Sequence, residues 1–404
     1  MFNKLKTGIA MTGQIFRKEL LAILKDPGAM LILWGALIIY PLAYAFAYKT
    51  ELVRQINTIV VDQDNSFSSR QLIRMIGQTE QLHVVAHAAN MNEARNLFFN
   101  GREMGGIIAV PDDFEQTLLS GRQAHVSVYA DGSFFLIYRQ TINGAVNAVG
   151  TFSAGVEIKK LMAGGKSDEQ AKQLRDPLAA DLHFWFNPAS GYGTFLMPGL
   201  ILIILQQTLL IGIGMMGGTR KEKKQHLDQV SRPLGYGAVF PILFGRTLCY
   251  LAIYFFNSVF TLIWIYRWFD YPERAGCMQI MMLIVPFLLA VIFLGMTISV
   301  FFKRRESSLL FLVFMSPVVF FLSGISWPAS SIPRVLYGLA HVFPSTWAVP
   351  AYLRLRIMGV GLDAVRHEYL MLILQGVFYF ITASLAIYFE ARYAWKRERK
   401  GLQS

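Results

Sequence analysis

The sequence predicts an α-helical polytopic membrane protein with six transmembrane helices and an α/β domain inserted after the first of them. Three observations lead there. Of 404 residues, 54% are hydrophobic and only 16% charged, against about 45–50% and about 25% in an ordinary soluble domain. The excess is gathered into six runs, most of them near the ~20 residues that a helix needs to cross a hydrocarbon core. Between the first two runs lies a long stretch of mixed composition, in which strand and helix signals alternate.

Taken in order, residues 1–27 form a cytoplasmic interface segment. From Ile9 to Lys25 the apolar Phe16, Leu20, Ile23 and Leu24 recur at helical spacing, with Arg17, Lys18 and Lys25 off that stripe. Asp26-Pro27-Gly28 breaks the helix just before the first span. A short basic amphipathic helix in this position lies along the membrane interface, either as an anchoring elbow or as a seat for a cytoplasmic partner. The first span is residues 28–48. Ala45-Phe46-Ala47 has the form of a signal-cleavage site. The apolar run before it nevertheless exceeds the roughly 7–15 residues of a signal core, so we read an uncleaved anchor.

Residues 49–192 form the inserted extracytoplasmic domain. Strands are expected at Thr58–Asp62, His83–His87, Gly105–Val110 and Val126–Tyr129. Helices are expected at Ser68–Ile76, at Asn92–Asn100 ending on Gly101, and from the Pro111-Asp112-Asp113 cap to Ser120. A longer helix from Phe134 to Met162 is a candidate stalk back to the membrane. Such β–α alternation implies strands packed under helices. Asp62 and Asp64 read as shapers of a strand-to-helix turn. His83 and His87 share a strand face but stand about 13 Å apart, too far to hold one ion.

Residues 193–391 carry the other spans: Thr194–Met216, Ile242–Tyr266, Gln279–Phe302, Leu309–Leu322 and Tyr369–Phe389. The fifth is interrupted by Pro317 and by the Gly324–Pro328 stretch. A charged loop, residues 219–238, joins spans two and three, with helical character from Glu222 to Val230. The segment 323–368 is apolar and aromatic but studded with Pro328, Pro333, Pro344 and Pro350, which suits short helices dipping into the outer leaflet. Residues 392–404 are a basic tail.

The formal net charge of +12 follows the membrane topology, and no nucleic-acid partner is expected. The segments Lys4 to Lys25, Arg220 to Arg232, Lys303–Arg305 and Arg392 to Lys400 hold 18 of the 38 Lys and Arg residues. All four fall on one side of six alternating spans, the positive-inside arrangement, which puts both termini in the cytoplasm. The inserted stretch balances 13 basic against 15 acidic residues.

Several function classes lack their residues. Gly165-Lys166-Ser167 resembles the end of a phosphate-binding loop, but Lys160 occupies the position of the required glycine. Cys249 and Cys277 fall at opposite sides of the membrane, and no metal spacing is present. The span centres hold no Asp, Glu, Lys or His, so an ion-coupled mechanism lacks its titratable group. No Ser/His/Asp or paired-carboxylate arrangement points to an enzyme.

The whole chain resembles the ABC type-2 transporter permeases, the exporters with a large domain after the first span. The strings are Val60-Val61-Asp62-Gln63-Asp64, Ser69-Arg70-Gln71-Leu72, Glu93-Ala94-Arg95 with Gly101, Val110-Pro111-Asp112-Asp113-Phe114-Glu115 and Tyr129-Ala130-Asp131-Gly132. They continue with Phe186-Asn187-Pro188, Met197-Pro198-Gly199-Leu200, Ser323-Gly324, Pro328, Ile332-Pro333 and Pro344-Ser345-Thr346. The resemblance implies a pair of permease chains, identical or sister, each contacting a cytoplasmic ATP-binding-cassette ATPase that binds and hydrolyses the ATP. The chain itself then needs no cofactor. A periplasmic adaptor is a further implied partner of the outer domain.

Coupling to the ATPase would fall to Phe16, Arg17 and Glu19 of the first helix and to Arg220, Glu222, Leu227 and Asp228 of the loop, where Gln225-His226 replace the family's small pair. The outer gate and pathway would involve Phe320, Phe321, Gly324, Trp327, Pro328 and Pro333, with spans two and five lining the route of an amphipathic drug or lipid. The alternative is a membrane-anchored envelope protein whose outer domain binds a ligand or partner. Six spans and a charged cytoplasmic helix exceed what an anchor needs.

Overall fold

The computed structural model describes residues 2–101, 104–178, 183–223 and 239–401, of which 2–5, 391 and 393–401 by backbone path only. Two compact units result: residues 1–51 with 184–404, and residues 52–183.

The first unit opens with helix α1, Phe2–Leu24. Its buried side is Met11, Ile15, Glu19 and Ile23, every fourth residue, so one turn stacks on the next. This corrects the expected stripe. Phe16 and Leu20 are half-buried at its margin and Leu24 is exposed. A charged residue sits in the seam. Asp26 then accepts from the Ala29 backbone N–H and caps the first span. That span is helix α2, Pro27–Ala47, with a π-helical turn at Leu31–Gly35. The Leu33 carbonyl accepts from the Asn257 side chain at 2.9 Å. A polar residue inside the bundle thereby serves a carbonyl at an irregular turn.

The second unit alternates β1 (Ile56–Asp62), α3 (Phe67–Gly77), β2 (Leu82–Ala88), α4 (Met91–Asn100), β3 (Met104–Val110), α5 (Phe114–Leu119), β4 (Ser127–Ala130), α6 (Phe135–Ala163) and α7 (Asp168–Arg175). The sheet order is β2-β1-β3-β4. β1 runs parallel to β2 and β3, and β4 antiparallel to β3. Each face is covered. Leu72, Ile76, Leu82, Ile108, Ala145 and Phe152 form one core, and Ile59, Val61, Ala88, Ala94 and Ile107 the other. The strands and helices fall within a few residues of their expected places because each boundary has a local cause. Ser66 and Asn90 cap α3 and α4, and the Asp62 carboxylate holds Asn65 N–H and Ser69 Oγ in the turn after β1. Ser167 caps α7 in a reciprocal box with Gln170, so the Gly-Lys-Ser string is a helix start. His83 and His87 are exposed on the edge strand β2.

The first unit resumes with α8 (Tyr192–Glu222), α9 (Val239–Trp268), α10 (Cys277–Ser299) and α11 (Arg305–Leu322). The short helices α12 (Arg334–Ala340) and α13 (Ser345–Leu353) follow, and α14 (Arg366–Gly401) closes the chain. With α2, six helices among the described residues are long and apolar enough to cross a membrane. Helix α8 is the axis of this unit, buried along nearly its whole length. Small residues admit its neighbours: a Cβ at Gly212 would strike Leu33, one at Gly214 would meet Leu312 and one at Gly217 Ser299. Helices α11 and α14 instead expose Leu310, Phe311, Phe314, Leu374, Phe378 and Phe389. Pro317 leaves α11 unbroken. Its end comes at Leu322, where Gly324 takes φ +84°, a conformation suited to glycine.

Candidate functional site

Glu19 is 3% exposed, and a lone carboxylate could not stay there. Its Oε1 accepts from Arg220 Nη1 at 2.6 Å and from the Tyr250 hydroxyl at 2.7 Å. Arg246 Nε lies 3.8 Å from Oε2. The three partners come from the end of α8 and from α9, so the seam helix α1 is tied to two spans by one group. Beside it, Gly245 lets α9 approach until a Cβ there would meet the Thr12 carbonyl and Ile15 at 2.8 to 2.9 Å.

A second knot closes the same end. Arg305, at the start of α11, clasps Asp26 with Nη1 at 2.5 Å and Nη2 at 2.8 Å, the bidentate fork that gives such pairs their geometric specificity. Its backbone N–H donates to Glu222 Oε1 at 3.1 Å. Lys221 donates to the Val300 carbonyl and stands 3.6 Å from Glu390 of α14. The elbow, α8, α9, α11 and α14 thus meet in a network of charges at one end of the bundle.

Burial pushes the Glu19 carboxyl up, but the Arg220 and Arg246 charges and the Tyr250 hydroxyl outweigh it and hold it below the usual carboxylate range. Asp26 is likewise raised by burial and, on balance, lowered by Arg305 and the Ala29 N–H. Groups whose folded pKa is depressed stabilise the fold above their unfolded pKa. That contribution is lost as pH falls through the folded value. Docking of α1 is therefore expected to be firm at neutral pH and to weaken progressively as pH falls below the ordinary carboxylate values of about 4 and through the depressed folded ones, read as rising hydrogen exchange across residues 6–24. Exchange of α1 that stayed level until the whole bundle unfolds in acid would count against the knot.

Of the expected coupling residues, the structure brings Glu19 and Arg220 into direct contact, half-buries Phe16, and leaves Arg17 and Glu222 exposed at the same end. Leu227 and Asp228, with most of the loop 219–238, lie outside the described residues. The described part of that loop, up to Glu222, continues α8 as helix.

At the other end, the segment after α11 folds back as short helices. Ser323 and Gly324 turn the chain, and Ile325 packs where a Cβ on Gly199 would collide with it. Phe320 is half-buried, while Phe321 and Trp327 are 60% and 59% exposed. Pro328 precedes a 3-10 turn, Ala329–Ser331, and Pro333 stands at the start of α12.

Sequence reasoning missed two residues here. Gln206, at the middle of α8, accepts from the Ser345 backbone N–H at 2.8 Å, so the first turn of α13 is pinned to the central helix. The visible signal was Gln206-Gln207-Thr208 in the centre of an apolar run. Gln207 is 6% exposed, and its amide has no partner among the described residues. Arg356, fully buried, lies 3.9 Å over the Tyr266 ring and 3.4 Å from Glu273. Gln206 and the Glu19 knot at Arg220 are 14 residues apart on one helix, about 21 Å at the α-helical rise. Of the two spans expected to line the route, α8 is enclosed by its neighbours and α11 is largely exposed.

Known proteins align with this architecture. The family described as "ABC-2 family transporter protein" matches residues 29–385. The chain is 22% identical over 370 residues to the "Probable multidrug ABC transporter permease YbhR" of Escherichia coli K12, covering 90% of this chain and 93% of that protein. It is 21% identical over 365 residues to the "Linearmycin resistance permease protein LnrN" of Bacillus subtilis 168, covering 82% and 87%.

Proposed function

The chain belongs to the ABC-2 family of transporter proteins, and from that premise we propose that it is the membrane-spanning permease of an exporter driven by ATP hydrolysed on a separate subunit. The observation that carries this reading is the Glu19 knot. It makes the amphipathic helix and the inner end of the central span one body, so a push on the exposed Arg17 face is passed to α8. At the far half of α8, Gln206 holds the first turn of α13, and the short helices there act as the outer gate.

In this reading both termini and the α8–α9 loop lie on the cytoplasmic side of a bacterial inner membrane and the α/β unit outside, as the positive-inside distribution of the basic segments supports. Two permease chains pair, and exposed aromatic residues of α11, with Phe321 and Trp327, border the route. The names of the relatives, multidrug and linearmycin resistance, favour an amphipathic substrate. The α/β unit would meet an envelope adaptor.

The test is gentle extraction of the tagged chain from its native membrane. An ATP-binding-cassette subunit is expected to co-purify with ATPase activity. Arg17→Glu or Glu222→Lys should cut its recovery about tenfold, as charge reversal at an interface commonly does. A chain that emerges alone, with no ATPase able to restore activity, would sink the reading.

A further inference from the structure

The elbow between α1 and α2, the inner end of α8 and the start of α11 enclose a cleft of about 830 Å³. Five cations and two carboxylates line it. Both carboxylates are engaged: Glu19 with Arg220 and Tyr250, Asp26 with Arg305. Lys18, Lys25 and Lys223 remain, all exposed and without a partner among the described residues. Among the described residues, five cations against two carboxylates leave the lining with a net charge of +3, which favours an anion.

Depth identifies the anion. The lining includes Met216, six residues inside the end of α8, or about 9 Å along the helix. Pro27, the first residue of α2, forms another wall. Leu21, 42% exposed, lies at the same cleft. An anion at this level beside an apolar wall sits where a membrane places its phosphates, with acyl chains beneath. A soluble protein would have to reach below the rim of the bundle.

We propose that this cleft seats the phosphate of an anionic phospholipid, held by Lys18, Lys25 and Lys223. The inference rests on the helices crossing a membrane and is independent of ATPase docking, which the co-purification reads separately. Basic recesses between spans on the positive side are suited to such headgroups, each lysine adding an increment of attraction.

The full chain, stripped of lipid in detergent, is offered phosphatidylglycerol or phosphatidylcholine of matched chains, and retained lipid is counted by native mass spectrometry. Phosphatidylglycerol should be retained about tenfold more tightly. Lys18→Gln, Lys25→Gln and Lys223→Gln together should bring the two lipids near parity. Lys159→Gln, Lys160→Gln and Lys166→Gln in the α/β unit should leave the preference intact, which separates this cleft from the general effect of charge. Equal retention by the unaltered chain would overturn the proposal, as would a cleft variant that keeps its preference. Loss of the preference in millimolar inorganic phosphate would reassign the cleft to a free anion and overturn the lipid assignment.

Discussion

Replacing Glu19 with glutamine is expected to free α1 from the bundle and open Cys249 to thiol reagents. The amide keeps the shape of the side chain but removes the charge that two guanidinium groups face at 2.6 and 3.8 Å. Breaking a buried pair by removing one partner costs about 3–5 kcal/mol, because the charge left behind is uncompensated. Here the chain has an escape short of unfolding. If α1 swings away, Arg220 and Arg246 gain water and the spans remain packed. Cys249 reports the motion, since it is fully buried and lies one turn from Gly245 on the face that α1 covers. Cys277 is exposed and serves as an internal reference. A permeant maleimide should modify one thiol in the unaltered chain and two in the variant. Transport should fall with docking. A variant that still protects Cys249 would show that the carboxylate does not hold α1. Methionine at 19, 220 and 246 together should restore protection, since apolar groups of similar volume can replace a buried ionic cluster.

The second large effect is expected at Gln206. Leucine there removes the acceptor of the Ser345 N–H, and both residues are fully buried. An orphaned buried donor costs about 1–3 kcal/mol, on the order of tenfold to a hundredfold in the occupancy of the docked position of α13. The short helices of the outer segment should then exchange hydrogen faster while the Glu19 end stays protected. In a reconstituted exporter, ATPase turnover should persist while transport per ATP declines. A variant that transports normally with unaltered exchange at 345–349 would remove the pin from the account. Gln206→Glu is a useful companion, because it keeps an acceptor and should preserve more of the docking than leucine does.

The spans and the α/β unit were legible because their signals are local. An apolar run, a strand alternation or a serine cap is written in neighbouring residues. The knots were not, because they join distant ones: Glu19 and Arg220 lie 201 residues apart, Asp26 and Arg305 279. The α1 stripe was misread for a related reason. Its third member is a glutamate, and apolar periodicity cannot count a charge as buried until its partners are known. Gln206 escaped because a search for titratable groups at membrane depth passes over an amide. Arg356 escaped because it lies in a proline-rich stretch with no period to follow. The residues expected at the gate came from resemblance, and the geometry adds neighbouring contacts, Ile325 against Gly199 and Ser345 on Gln206, that tie this segment to the central helix.

The enclosure of α8 bears on how the protein is made. This helix leaves the ribosome before α9, α10 and α11, the helices that later wrap it. For that interval its glycine face, shaped for Leu33, Leu312 and Ser299, has only α2 as a native companion. A nascent chain halted after α8 should therefore integrate into the bilayer yet stay open to quality-control proteases, and protection should arrive in one step with α11. Biogenesis of this permease would then be governed by the delay between its second and fifth spans, a quantity set by loop length and translation speed.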